Sequence, residues 1–168
     1  MALQSQVYQT MATALPGMPT SVIETHYTAL TRQATADVTV GNFVFFDGTD
    51  ATKVAPSGTG MVAGLVVFTR QYVGTDYTGS LKVAKGSYLQ IATNGKFYVS
   101  ATNASAKVGD YVFASQTDGS ISTATANTTQ SGKTITNFRV VEVLGTTANS
   151  LVLISNQNAA VTVEGAGA

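Results

Sequence analysis

Apolar residues in this chain come in short runs, many of them alternating with polar residues, and turn-forming residues punctuate them. Alternate side chains of a strand share one face, so runs rich in Val, Ile, Phe and Tyr at that period predict β-strands. The pattern places them near residues 43–47, 63–72, 79–83, 88–93, 96–100, 111–114, 120–125, 134–144 and 150–155, with a further alternating segment over 22–30. Asn94 and Gly95 lie between QIAT and KFYV, which predicts a hairpin with a type I′ turn. Asp47-Gly48 and Asp118-Gly119 are similar turn candidates. No segment keeps a 3.6-residue apolar period, so helices are at most short.

The chain also repeats itself. VGNFVF (residues 40–45) returns as VGDYVF (residues 108–113), and a DG turn follows each copy. Glycine reaches turn conformations closed to other residues. The Asn or Asp beside it is a residue type that bonds its own backbone in turns. The aromatic and valine residues that follow then enter a sheet. Each copy leads on to a further apolar strand, GLVVF (residues 64–68) or FRVVEVL (residues 138–144). The expected fold is all-β: a sandwich or barrel-like body with two pseudo-repeated halves.

Three regions follow. Residues 1–33 read as an extended arm, because Pro16-Gly17-Met18-Pro19 cannot sit inside a helix or a central strand. Residues 34–156 read as the body, with halves near 34–100 and 101–156. Residues 157–168 read as a small, polar C-terminal tail carrying Val161 and Val163.

Composition narrows the function classes. Only 11% of the 168 residues are charged, and 9 basic side chains balance 9 acidic ones. The basic residues are scattered singly, whereas phosphate binding needs them clustered, so nucleic acid is not an expected partner. Low charge suits a chain that works inside a dense assembly. The absence of cysteine removes disulfides, thiolate nucleophiles and sulfur-ligated metals. No positive charge precedes Arg32, so the N-terminus lacks the basic region of a signal peptide. No apolar run approaches membrane-spanning length, and no membrane partner is expected.

Candidate chemistry is sparse. His26 is the sole histidine, too little for a triad or a His-rich metal site. Of the carboxylates, Asp47, Asp50, Asp76, Asp110 and Asp118 lie in turn clusters, which explains them without an acid–base pair. Asp47 and Asp50 group hard oxygen ligands but fall short of a calcium loop. GTGMVAG (residues 58–64) imitates a nucleotide fingerprint with the wrong spacing, and a strand rather than a helix follows it. No catalytic residue, cofactor or metal is expected. The Pro-rich arm stands apart. Leu3, Val7, Tyr8, Met11, Leu15 and Met18 have no place in a periodic element, and contact with a partner is favoured over self-packing.

The order of these segments resembles the capsid cement, or decoration, proteins of tailed bacteriophages. The matching elements are LPGMP (residues 15–19), VGNFVFFDGTDATKVA (residues 40–55) and AGLVVFTRQ (residues 63–71). A V-x-K-G-x-x-L-x-I-x-T-x-G segment (residues 83–95) and KFYVSATNASAKVGDYVFASQTDG (residues 96–119) complete the set. Val67-Phe68-Thr69 departs from the more polar residues expected there, and ANTTQSGK (residues 126–133) reads as a loop insertion. The resemblance implies a non-enzymatic virion protein, made in the host cytoplasm, that sits as a homotrimer on the outer surface of an icosahedral head. It would bridge neighbouring major capsid proteins there and stabilise the mature shell. Under that reading the shell-contacting residues are Val7, Tyr8, Met11, Leu15, Pro16, Met18 and Pro19, with His26 and Tyr27. Arg70 and Gln71 are the candidates for contacts between copies. The alternative is a β-rich adhesin or tail-fibre module that binds host glycan.

Overall fold

The structure is a computed structural model describing residues 14–20, 28–48, 50–69, 81–125 and 129–157. Among these residues there is no helix. Five strands close a first barrel in the order β1 (Ala29–Ala34), β4 (Asp50–Ala55), β3 (Phe43–Asp47), β5 (Val62–Val66) and β7 (Tyr88–Ala92). Five more close a second: β8 (Lys96–Ala101), β10 (Ile121–Ala124), β9 (Tyr111–Ser115), β11 (Lys133–Val143) and β12 (Ser150–Ser155). The short strands β2 (Val38–Thr39) and β6 (Lys82–Val83) pair beside the first barrel.

The two barrels have one topology. β1 runs parallel to β4 and antiparallel to β7, and β8 runs parallel to β10 and antiparallel to β12. The β4–β3–β5–β7 ladder matches β10–β9–β11–β12, all antiparallel. The registers place Ala34 in the position of Ala101, and Val54 in that of Ile121.

The sequence repeat is the root of this symmetry. In the first copy Asn42 N–H closes a turn onto Thr39 C=O (3.3 Å). Gly41 N–H then donates to Val66 C=O (3.0 Å), and Val66 N–H to Asn42 C=O (2.9 Å). In the second copy Asp110 N–H closes onto Lys107 C=O (3.1 Å), Gly109 N–H donates to Val140 C=O (2.8 Å), and Val140 N–H to Asp110 C=O (3.0 Å). Both glycines hold positive φ, +83° and +91°. Each motif therefore stitches the start of one strand to the strand beside it. The buried Asp110 carboxylate also accepts bonds from Lys107 N–H (2.9 Å) and Thr125 Oγ1 (3.0 Å).

The barrels share a core. On β3, Val44 faces the first barrel's own cluster with Val54, Leu89 and Ile91, while Phe43 and Phe45 face the opposite way. They join a cluster with Leu65, Val67 and the second barrel's Phe97, Val99, Ile121, Phe138 and Ile154. Both faces of β3 are buried, which is why FVFF reads as an unbroken apolar run. The Phe43 and Phe138 rings lie 5.7 Å apart at 55°. The second DG turn seals the seam: Phe43 N–H donates to Gly119 C=O (2.9 Å), and Asn42 Nδ2 donates to Asp118 C=O (3.3 Å). A Cβ on Gly119 would fall 1.9 Å from the Phe43 carbonyl oxygen, so no other residue fits there.

One expected turn is overturned. Asn94 and Gly95 do not close a type I′ hairpin, because β7 belongs to the first barrel and β8 to the second. Their flanking strands have better partners: β7 pairs with β1 and β5, and β8 with β12. Residues 93–95 carry the chain between barrels, and asparagine side chains pin the crossing. Asn94 Oδ1 accepts Thr28 N–H, Asn156 Oδ1 accepts Gly95 N–H (2.9 Å), and Asn156 Nδ2 donates to Thr93 C=O (2.9 Å).

Candidate functional site

Of the residues expected to contact a partner, Leu15, Pro16, Met18 and Pro19 are described; Val7, Tyr8, Met11, His26, Tyr27, Arg70 and Gln71 lie outside the described residues. The LPGMP segment is fastened to the body. Met18 N–H donates to Leu15 C=O (3.1 Å) around Pro16 and Gly17, and Gly17 has φ +83°, which makes a type II turn. Proline presets the first corner of that turn and glycine takes the second, which requires positive φ.

The turn sits across the seam between barrels. Gly17 N–H donates to Tyr98 C=O in β8 (2.7 Å), and Gly17 C=O accepts Phe68 N–H just after β5 (2.9 Å). Tyr98 N–H donates to Met18 C=O (2.9 Å), and Thr20 N–H donates to Lys96 C=O (3.2 Å), with Pro19 paired antiparallel to Phe97. The segment thus lies as an added strand along the first half of β8. The fit is tight: a Cβ on Gly17 would meet Val66 O at 2.8 Å, and one on Gly41 would meet Pro16 Cβ at 2.6 Å. Ala14 and Gly17 are buried, Pro16, Met18 and Pro19 are half-buried, and Leu15 is 41% exposed. Within this segment Leu15 is therefore the most exposed side chain, while Pro16 and Pro19 lie half-buried against the body.

Asp50, Asp110 and Asp118 serve turns. Asp50 accepts from Thr52 Oγ1 (2.6 Å) and Thr52 N–H (2.9 Å) and pairs with Lys53 (3.3 Å), contacts that hold its pKa below the ordinary value. Partial burial pushes Asp118 upward. Bonds from the Ser120 hydroxyl and N–H, with Ser115, outweigh it and leave its pKa lowered. Among the described residues, no three His, Cys, Asp or Glu side chains come together as a metal site.

Two concave surfaces flank the first barrel. One, about 720 Å³, is walled by the β3–β4 turn and the glycine-rich loop ahead of β5. The other, about 450 Å³, lies between barrels and is lined by Leu30, Phe46, Met61, Ala63, Ile135 and Phe138 among others, none of them charged. Met61 is 71% exposed at its rim. Sequence patterning missed this groove. Met61 and Ile135 are far apart in sequence, and only the docking of the two barrels brings them together.

Three comparisons bear on these features. The chain is similar to a chain in a structure titled "The capsid of Myoviridae Phage XM1", at 17% identity and TM-score 0.62, covering 94% of this chain and 99% of that one. It is also similar, at 16% identity and TM-score 0.43, to the head fiber gp8.5 N base of bacteriophage phi29, over 77% of this chain and 93% of that one. No curated protein matches. The profile of the structural cement proteins typified by E217 gp24 and Pam3 gp6 matches residues 3–157, nearly the whole chain. This two-barrel chain therefore belongs to the phage structural cement protein family.

Proposed function

We propose that this chain binds the outer surface of an icosahedral phage head and cements neighbouring major capsid proteins, stabilising the mature shell. Its action is mechanical, not catalytic. A ligand that binds only the assembled lattice stabilises that lattice by mass action. Association of copies as a homotrimer, with Arg70 and Gln71 at the contacts, multiplies weak contacts into avidity. The protein is made in the host cytoplasm and resides on the virion exterior.

The observation that carries this reading is the LPGMP staple. It fastens residues 15–20, which follow the apolar N-terminal stretch in sequence, at the seam of a two-barrel body. Val7, Tyr8 and Met11 would then reach the shell with Leu15, anchored through Pro16, Met18 and Pro19, and His26 and Tyr27 would contribute beside them. The test is co-sedimentation with undecorated expanded capsids, comparing the full chain with a deletion of residues 1–13. That deletion spares the staple. The full chain should pellet with shells and the truncated one should not; equal binding by both would reject the arm as the contact. If the full chain fails to bind intact mature shells, the cementing role falls and a glycan array becomes the next experiment.

A further inference from the structure

The staple on β8 has a twin site that none of the described residues fills. The barrel registers put Ala29, Leu30 and Thr31 of β1 where Lys96, Phe97 and Tyr98 stand in β8. In an antiparallel ladder the N–H and C=O of one residue point to the same side. Thr28 C=O accepts Thr93 N–H, and Ala34 N–H donates to Ser87 C=O, so the even positions of β1 face β7. Ala29 and Thr31 therefore face the other way, towards β4. There β1 and β4 pair only at Gln33↔Lys53 and Ala34↔Val54 and then splay apart. Among the described residues nothing accepts the Ala29 or Thr31 N–H. Among the described residues Thr31 C=O accepts only Arg32 Nη1 (2.8 Å), where its twin Tyr98 C=O accepts the backbone N–H of Gly17 (2.7 Å). Leu30, between the two open positions, lines the 450 Å³ groove with Phe46, Met61 and Ile135.

We propose that the slot between β1 and β4 takes an extended strand of the shell protein, which pairs with Ala29 and Thr31 and lays aliphatic or proline side chains into the adjoining groove. This deepens the cementing role and rests on it. The occupant's chemistry comes from the twin site, where an uncharged Gly-Met-Pro-Thr stretch pairs with β8 in the same way. The groove's uncharged lining fits such side chains. The chain has one LPGMP element, and β8 already holds it. The slot closes where Gln33 pairs with Lys53, which leaves Ala29 and Thr31 at its open end. On binding, Arg32 yields Thr31 C=O to a strand N–H.

The experiment uses the full chain, its Thr31→Pro variant and its Met61→Lys variant, each titrated onto expanded capsids. Thr31→Pro removes an N–H that no described residue accepts, and proline is tolerated at strand edges. Met61 is exposed, so its replacement leaves the barrels intact should the proline variant fail to fold. Each variant should weaken binding about tenfold or more, the size expected for a lost strand contact. Amide exchange at Ala29 and Thr31 should slow when the full chain is on the shell. Normal binding of the full chain and both variants, with Ala29 and Thr31 still exchanging freely, overturns the slot while the cementing role stands. Failure of the full chain to bind overturns both. Variants that alter self-association in solution but not shell binding would show a second copy in the slot, and also overturn it.

Discussion

Gly41 and Gly109 occupy the same place in the two repeats, with φ +83° and +91°, yet only Gly41 lies under the N-terminal staple. A Cβ at Gly109 meets nothing within 4 Å, whereas one at Gly41 meets Pro16 Cβ at 2.6 Å, Pro16 C at 2.8 Å and Gly17 N at 2.9 Å. Alanine at positive φ costs roughly 1–2 kcal/mol on its own. Gly109→Ala should lose that and little more. Gly41→Ala must also displace the staple, which makes four backbone hydrogen bonds to Lys96, Tyr98 and Phe68. At about 1 kcal/mol net each, and offset by the freedom residues 14–20 regain, their loss adds about 2 kcal/mol. Gly41→Ala should therefore fall about 3–4 kcal/mol below wild type in urea or thermal unfolding. At about 2–4 °C per kcal/mol, the extra ~2 kcal/mol places its Tm about 4–8 °C below the Gly109→Ala midpoint. A third variant closes the cycle: once residues 1–20 are deleted, Gly41→Ala should cost the same as Gly109→Ala. Equal losses for the two alanine variants in the full chain would refute the idea that LPGMP staples the barrels.

Other consequences are separable. Phe43→Ala removes the ring that meets Phe138 in the shared core and should cost about 3–5 kcal/mol, read from urea unfolding; a loss below 1 kcal/mol would mean the barrels do not depend on that seam. Asp110→Ala leaves Lys107 N–H and the Thr125 hydroxyl without their acceptor and should cost about 1–3 kcal/mol, while the equivalent first-copy change Asn42→Ala should cost less, since Asn42 is half-buried and its side chain makes a single 3.3 Å bond. The lowered pKa of Asp118 means its ionised form favours the fold. That contribution is complete above the ordinary carboxylate pKa of about 4 and disappears as pH falls through the lower folded value. Asp118→Asn should flatten this acid limb by less than about 1 kcal/mol, because the group is mostly solvated.

Much of the fold was legible because local chemistry and global topology agree. The VGNFVF and VGDYVF copies mark equivalent turns in two barrels of one topology, and the unbroken FVFF run marks a strand buried on both faces. Asn94-Gly95 misled because the same dipeptide serves a hairpin or a crossing, and the partners of β7 and β8 decide which. The strand at Asp50–Ala55 escaped notice because half of it is exposed and polar, and its pairing with β1 is non-local. The LPGMP element was recognisable as non-helical and apolar. Its docking was not, because it depends on glycines at residues 17 and 41 that approach only in three dimensions. The β1 slot was hidden for the same reason, and its outline emerges from comparison of the two barrels.

Strengthening of a phage shell by this chain is tested most directly by the disruption temperature of mature expanded capsids. Saturating protein, at about 100 times its dissociation constant, should stabilise the lattice by about 2.7 kcal/mol per occupied site and raise that temperature measurably. Shells that bind the protein yet come apart at an unchanged temperature would contradict the account.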